Sequence, residues 1–329
     1  MSKILIITSN TDTSATRVIK WINYLDSSVE IIRLNTDELF DKYTIRQNGM
    51  NNPIFFSYND VHFATNEISV VWLWKWVQSV HLTTKDIDLS VNEIPSIKSN
   101  LKNELNVFSQ YFIYHLKTYH CDFLNYFSIN EINKLEQLQI ANQIGLKTPH
   151  TFISTHLDST DLRKMIITKP MSDGIGIHKK DSFFRTYTSR VTQNNTNQDF
   201  MVSLFQQEIK KELEIRIFYL EQNCYAIAIL SQFDTQTSID YRNYNYAHPN
   251  RFEFYSIPKE LQEKIRLFMK HFNLQSGSLD FILDKQGEYF FLEVNPSGQY
   301  APFNACNIYP DKLIAEYLLT KHYEHYSKT

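Results

Sequence analysis

Three oxygen-bearing side chains near the C-terminus have the types and spacing of a cation site. Asp280 lies in the first strand of a predicted hairpin, and Glu293 and Asn295 lie in and just after the second. Glu293 and Asn295 are two residues apart, so they share one face of a strand. Two carboxylates and an amide oxygen are hard ligands that suit Mg²⁺ bridging nucleotide phosphates. The alternative interpretation is an acid on the solvated side of an edge hairpin.

The position of Asp280 relative to Glu293 depends on the turn between the two strands. With a two-residue turn at Lys285-Gln286, Asp280 lies opposite Phe291 and diagonally beside Glu293, on the same face. A bulge at Gly287 would instead place Asp280 and Glu293 on opposite faces. The sequence leaves both arrangements open.

Two lysines and two glycines could hold phosphate groups. Lys134 lies near the start of a predicted helix, and Lys169 lies at a strand end before a loop with Gly174 and Gly176. Lysine ammonium groups neutralise phosphate oxygens, and glycine allows the backbone to approach them closely. Taken alone, each lysine is better explained as a solvated surface residue.

A predicted extended hinge at residues 205–209 could bind the edge of an adenine. Its backbone donors and acceptors, at Gln206, Gln207 and Ile209, are suited to that contact. Glu214, farther along the chain, could hold ribose hydroxyls. The alternative for Glu214 is an exposed strand residue.

Composition and motif content exclude several classes of protein. The chain has 33 basic and 36 acidic residues and a formal net charge of -3, which argues against a general nucleic-acid binder. It contains no P-loop, GxGxxG, GxSxG or HExxH motif. Three widely spaced cysteines predict neither a disulfide framework nor a structural zinc site. Without a signal-peptide pattern or a membrane-length apolar run, we expect a cytoplasmic protein that contacts no membrane.

Hydrophobic spacing predicts the elements that must position these residues. Apolar runs predict strands at residues 3–8 and 29–34, with a helix at 12–25 between them, which is typical of a βαβ unit in a parallel sheet. The other predicted strands are 55–58, 68–74, 165–168, 214–220, 224–231, 278–283 and 288–294. The other predicted helices are 97–119, 130–144, one opening at Pro258, and 311–323.

The tryptophans at positions 72, 74 and 76 alternate, so we expect all three to face one side of a strand. Core or interdomain packing is the favoured interpretation of this pattern. A binding face for an aromatic peptide is the alternative.

Taken in chain order, these residues resemble the ATP-grasp ligases. That superfamily has two lysines, a hinge, a ribose-binding acid and an Asp/Glu…Glu-x-Asn set in this order, and LEVNPSG at residues 292–298 is similar to its metal-binding ending. The resemblance implies an α/β protein with an ATP-grasp fold, in which residues 1–125 form a pre-ATP-grasp domain, 126–204 a central lid subdomain and 205–329 a C-terminal subdomain. It implies ATP and Mg²⁺ as cofactors, with the residue roles given above.

A narrower resemblance points to the graspetide-forming ligases of the microviridin type. Asp240-Tyr241-Arg242 matches their DxR motif, and the opening MSKILIITSNTD is similar to maturases of grasp-with-spasm peptide systems. By this resemblance Arg242 clamps the acceptor carboxylate, Arg216 stabilises an acyl phosphate, and Asp240 orients or deprotonates the attacking group. A local surface ion pair is the alternative for Asp240 and Arg242.

The expected activity is ATP-dependent macrocyclisation of a ribosomal precursor peptide. Asp or Glu side chains would be activated as acyl phosphates and condensed with Ser or Thr hydroxyls or Lys amines. An amino-acid ligase acting on a protein tail or small molecule, or a non-catalytic peptide-binding scaffold, are the alternatives. The resemblance also implies a radical-SAM-like protein encoded nearby and is compatible with a homodimer.

Overall fold

The chain forms two compact units. The structure is a computed structural model that describes residues 2–77, 94–126, 132–158, 165–172, 176–179, 182–185, 188–191, 199–230 and 250–328. The first unit comprises Met1–Asn130 together with Asp311–Thr329, and the second comprises Glu131–Pro310. The boundaries proposed for the two ATP-grasp subdomains stay predictions.

The first unit contains the predicted βαβ arrangement. Strands β1 (Lys3–Thr8) and β2 (Ile31–Asn35) pair in parallel and are joined by helix α1 (Thr13–Leu25). Strands β6 (Ile68–Leu73) and β7 (Asp122–Leu124) complete a parallel sheet of order β2-β1-β6-β7. The β1 side chains are buried on both faces, which explains the uninterrupted apolar run in the sequence.

The first unit also contains a small antiparallel sheet and a long helix. The three-stranded sheet has the order β3-β4-β5. Phe112 and Leu116 of the long helix join the core beneath the parallel sheet. The bounds are α2 (Leu39–Lys42), β3 (Thr44–Arg46), β4 (Phe55–Tyr58), β5 (Val61–Ala64) and α3 (Ile94–Thr118).

The last helix, α6 (Pro310–Lys328), packs within the first unit. The Arg17 guanidinium donates to Asp311 Oδ2 at 2.8 Å, and His322 Nδ1 lies 2.6 Å from Ser69 Oγ. The chain therefore returns to its N-terminal sheet after completing the second unit.

The second unit is built from antiparallel sheets. A five-stranded sheet has the order β16-β15-β14-β17-β18, a four-stranded sheet has the order β12-β9-β13-β8, and β10 and β11 form a hairpin. The helices are α4 (Lys134–Ile144) and α5 (Lys259–His271). The strands are β8 (Thr151–Ser154), β9 (Ile166–Lys169), β10 (Gly176–Lys179), β11 (Ser182–Arg185), β12 (Ser189–Arg190), β13 (Ser203–Gln207), β14 (Lys211–Leu220), β15 (Asn223–Leu230), β16 (Arg251–Tyr255), β17 (Ser276–Asp284) and β18 (Tyr289–Asn295).

The expectation that three tryptophans share one face is wrong for Trp76. Trp72 and Trp74 are buried with ring centroids 5.1 Å apart, whereas Trp76 packs against Phe112 in the cluster that contains Leu73. Strand β6 ends at Leu73, so the alternation of faces does not continue to Trp76. Within the described part of the chain, none of the helices combines the length and apolarity needed to cross a bilayer.

Candidate functional site

The central strands of the five-stranded sheet have one apolar face and an opposite face, called the polar face, on which polar side chains lie beside the buried Phe218. On the apolar face, Ile215, Ile217, Leu279 and Phe281 belong to the core of the second unit together with residues of α4 and α5. The residues between them in sequence point the opposite way because side chains alternate along a strand. The predicted site residues on that opposite face are Glu214, Arg216, Asp280, Glu293 and Asn295.

Backbone pairing places three of these residues in one row across the sheet. Arg216 on β14 pairs with Asp280 on β17, and Asp280 pairs with Glu293 on β18. Ser278 and Asn295 form the next same-face pair. Directly paired residues bring their Cβ atoms to within about 5.5 Å. The structure therefore brings the three predicted cation ligands together.

The turn between β17 and β18 differs from the two-residue turn considered above. Residues 285–287 form a three-residue loop, closed by the Asp284 N–H to Glu288 O bond at 3.0 Å, with Gly287 at φ 82°. A left-handed residue at this position favours glycine. Of the two arrangements that the sequence left open, the structure therefore does not have the one in which Asp280 lies opposite Phe291.

A second irregularity restores the shared face. Phe281 pairs with Phe291, but Asp280 pairs with Glu293, so Leu292 is an extra residue on β18. The three-residue loop alone would place Asp280 and Glu293 on opposite faces of the hairpin, and the bulge at Leu292 returns them to the same face. Together they place Glu293 directly beside Asp280.

Each carboxylate in the row lies near a cation. Arg216 Nη1 lies 3.7 Å from Asp280 Oδ1, and Lys134 Nζ lies 3.5 Å from Glu293 Oε2. The two acids are 18% and 16% exposed, so solvent reaches them only in part. Partly buried carboxylates at this spacing are costly unless positive charge accompanies them.

The loop after β18 is held close to the site by a glycine. The Gly298 N–H donates to Asn295 O at 3.0 Å, and the Ser297 N–H donates to Asn295 Oδ1 at 3.2 Å. A Cβ at position 298 would lie 2.7 Å from Ser278 Cβ. Glycine is therefore needed here to let the loop pack against β17.

Lys211 belongs to the polar face, although its sequence context did not indicate a site residue. The ammonium group pairs with Glu214 Oε1, and both side chains are largely buried. Residues three apart on a regular strand face opposite sides, but the register shifts between Lys211 and Leu213. A lysine three residues before a candidate acid was the only signal in the sequence.

Of the two lysines proposed for phosphate binding, Lys134 contacts both a proposed metal ligand and the loop that follows β9. Asn133 caps α4 by accepting the Leu135 N–H at 2.8 Å, which places Lys134 at the first helical position. Lys134 Nζ also donates to Ser172 O at 3.1 Å, just beyond the end of β9, where Lys169 lies. Lys134 thus connects the end of β9 with Glu293.

The predicted hinge leads from β13 into β14. Gln206 is buried and donates from Nε2 to Thr151 Oγ1 at 2.9 Å, so its side chain is committed to the four-stranded sheet. Gln207 is exposed, and Ile209 is half-buried. Glu208, for which the sequence predicted no role of its own, accepts two hydrogen bonds from Arg190 at 2.7 and 2.6 Å.

Gly174, Asp240 and Arg242 lie outside the described residues, and Gly176 is the first residue of β10.

The chemistry of the polar face fits a divalent cation. Among the described residues there is no group of three His, Cys, Asp or Glu side chains suited to a metal ion. The third ligand of the predicted set is instead the amide oxygen of Asn295, paired on the same face. Two carboxylates and an amide, with Arg216 and Lys134 beside them, match a hard cation that carries a polyphosphate.

Comparison with solved structures identifies the fold. A ligase from Chryseobacterium gregarium, described as a RiPP-associated ATP-grasp ligase in complex with ADP and a leader and core peptide, aligns with a TM-score of 0.82 at 22% identity. The alignment covers 98% of this chain and 97% of that one. The chain has an ATP-grasp fold. This confirms the predicted fold class, whereas no family model and no curated protein matches the sequence.

Other ATP-grasp structures align over nearly the whole chain. The macrocyclase MdnC from Microcystis aeruginosa, bound to its precursor peptide MdnA, gives a TM-score of 0.76 at 24% identity and covers 97% of this chain and 99% of that one. D-alanyl-alanine synthetase A from Vibrio cholerae gives 0.53 at 13% identity, with 98% of each chain covered. A structure named as a macrocyclase and one named as a D-alanyl-alanine synthetase thus both align with nearly the whole of this chain.

Proposed function

We propose that this protein is an ATP- and Mg²⁺-dependent peptide ligase that forms side-chain cross-links in a ribosomally made precursor peptide. The observation that carries the proposal is the row Arg216–Asp280–Glu293, with Asn295 on the same face. It lies in a chain whose fold aligns end to end with ligases solved in complex with precursor peptides.

In this proposal the polar face holds the nucleotide. Asp280, Glu293 and Asn295 would ligate Mg²⁺, which when bound neutralises the phosphates during phosphoryl transfer. Lys134 and Lys169 would contact phosphate oxygens, with Gly174 and Gly176 allowing close backbone approach. Residues 206–209 would border the adenine, and Glu214, oriented by Lys211, would accept hydrogen bonds from the ribose.

The proposed reaction has two steps, activation of a carboxylate and its condensation with a nucleophile. A carboxylate oxygen of a substrate Asp or Glu attacks the γ-phosphorus of ATP, and ADP leaves, giving an acyl phosphate. A Ser or Thr hydroxyl, or a Lys amine, then attacks the carbonyl carbon, and phosphate leaves with the former carboxylate oxygen. The proton of the attacking group passes to a base, a role proposed for Asp240.

Positive side chains supply the electrostatic stabilisation. Arg216 already lies beside Asp280 and would face the charge that develops on the transferred phosphoryl group. Arg242 would bind the acceptor carboxylate through two parallel hydrogen bonds. A nearby radical-SAM-like partner and a homodimer stay predictions.

The test is the intact mass of an acidic, Ser/Thr-containing peptide encoded beside this gene, after incubation with the protein, ATP and Mg²⁺. We expect an ATP-dependent loss of one water per cross-link. A mass gain would instead indicate ligation of a free amino acid. An unchanged mass for every such peptide, without ATP turnover, would leave only a binding scaffold.

An Arg242→Ala variant separates substrate binding from nucleotide binding. We expect cross-linking to be lost while the affinity for ADP with Mg²⁺ stays within about twofold, since the arginine is proposed to contact the peptide. Equal loss of both would contradict a substrate role.

A further inference from the structure

Strand β18 forms one edge of the five-stranded sheet, and the segment from α4 to β8 covers that edge. Two hydrogen bonds from β18 reach this segment. The Phe291 N–H donates to Lys147 O at 2.7 Å, and the Val294 N–H donates to Gln137 Oε1 at 2.8 Å. These bonds flank Leu292, the extra residue of the bulge, and Glu293.

The spacing of these two donors matches only the bulged strand. In a regular edge strand the outward N–H groups recur every second residue, so residues 291 and 293 would donate outward. Here the donors are residues 291 and 294, because Leu292 adds one position. The two acceptors therefore select the register in which Glu293 lies beside Asp280.

Gln137 is built into the core to make this contact. Its side chain is 2% exposed, and Nε2 also donates to Ile132 O at 3.4 Å. Val294 lies between the two proposed ligands Glu293 and Asn295, so Gln137 holds the backbone that carries both. Lys134, which reaches Glu293, lies one helical turn earlier on the same face of α4.

We propose that Gln137 is a positioning residue for the cation site: its Oε1 stabilises the β18 bulge that directs Glu293 and Asn295 toward Asp280. The inference rests on the proposed function, because it assigns Gln137 to the proposed metal–nucleotide site. Gln137 contacts neither nucleotide nor metal in this proposal and acts through the β18 backbone.

The second unit offers a matched control in α5. Gln262 donates from Nε2 to Ile257 O at 3.1 Å, the same reach to the carbonyl five residues earlier that Gln137 makes. Gln262 has no described hydrogen bond to β18. A Gln262→Met variant therefore reproduces the loss of a helix-start glutamine without touching the bulge.

The experiment measures the affinity of the full-length protein for ADP by calorimetry, in excess Mg²⁺ and in EDTA. The ratio of the two dissociation constants reports the contribution of the metal. In Gln137→Met we expect this ratio to fall about 10-fold, the size of effect seen when groups that orient metal ligands are removed. We expect the affinity in EDTA to stay within about twofold, and Gln262→Met to retain the wild-type ratio.

Other outcomes separate the inference from the proposed function. Gln137→Met could lower Tm but keep the wild-type ratio of dissociation constants, while Glu293→Gln abolishes the metal-dependent gain in affinity. In that case the positioning role is wrong and the metal site stands. If Gln262→Met lowers the ratio of dissociation constants as much as Gln137→Met does, the effect is a general destabilisation of the second unit, and the inference fails. If the wild-type protein shows no metal-dependent gain, both the proposed site and this inference are overturned. Gln137→Asn, whose amide is one methylene shorter, replaces Gln137→Met in the same comparison if that variant does not fold.

Discussion

The parallel sheet of the first unit and the five-stranded antiparallel sheet of the second use polar residues in different places. In the parallel sheet, residues 4–7 of β1 are all fully buried, and the buried carboxylate of Asp12 lies beyond the end of β1. In the antiparallel sheet, charged residues lie within the strands, on one face. The parallel sheet thus leaves its strand end for a buried charge, whereas β14 carries Glu214 and Arg216 within the strand, on the face opposite its core residues Ile215 and Ile217.

Alanine substitutions at adjacent strand positions should show this difference between the two sheets with the largest effect on the free energy of unfolding. Ile6→Ala and Ile7→Ala should each destabilise the first unit by about 2–5 kcal/mol, because both side chains are fully buried. Phe281→Ala should cost about 3–5 kcal/mol in the second unit. Ile282→Ala, which truncates a half-buried side chain on the opposite face, should cost less.

The two units can be observed separately in this experiment. All four tryptophans, at positions 21, 72, 74 and 76, lie in the first unit, so tryptophan fluorescence in urea follows its unfolding. Hydrogen exchange of β17 amides follows the second unit. Equal costs at Phe281 and Ile282 would show that the proposed polar face is packed like a core.

Glu293→Gln tests whether the charges within the antiparallel sheet serve nucleotide chemistry. We expect ATP turnover to fall about 100-fold or more, because a bound metal contributes several kcal/mol of transition-state stabilisation. Far-UV circular dichroism and Tm should stay close to wild type, since Gln has the same size. Near-normal turnover would remove Glu293 from the metal site.

Asp12→Asn tests the strand-end charge of the parallel sheet and should have the smallest effect. The Asp12 carboxylate accepts hydrogen bonds from Ala15 N at 2.7 Å and Trp74 Nε1 at 3.2 Å and pairs with Lys75. Asparagine can still cap α1, and Lys75 is partly solvated, so we expect a loss of about 1 kcal/mol at neutral pH. ATP turnover should be unchanged.

The pH dependence of that loss has a definite sign. Burial raises the pKa of Asp12, but the hydrogen bonds from Lys75, Ala15 and Trp74 outweigh burial, so the pKa lies below that of an ordinary aspartate. A carboxyl group with a depressed pKa stabilises the fold above its unfolded-state pKa, and this contribution is lost as pH falls through the folded-state pKa. The difference between wild type and Asp12→Asn should therefore be constant above about pH 5 and disappear in stronger acid. A difference that grows in acid would contradict the assigned pKa direction.

The sequence predicted most elements and the candidate ligands, because both follow from local patterns. The apolar run of β1, the stripe of α5 and the acidic residues flanking a turn are each visible within a few residues. It did not predict the Lys211–Glu214 pair, since a register shift brings those side chains to one face. Glu208 was also missed, because its partner Arg190 lies on another strand.

The sequence by itself determined which residue types were available: an ordered set of lysines, acids and an asparagine on predicted strands, in a chain with the alternating pattern of an α/β protein. Only the tertiary structure decided the β17–β18 register, through the loop at Gly287, the bulge at Leu292 and the bond from Gln137 to Val294. It also decided that α6 returns to the first unit. Register and docking depend on partners distant in sequence, and a shift of one residue exchanges the two faces of a strand. Local spacing therefore identifies candidate ligands, whereas contacts across the sheet decide whether they meet.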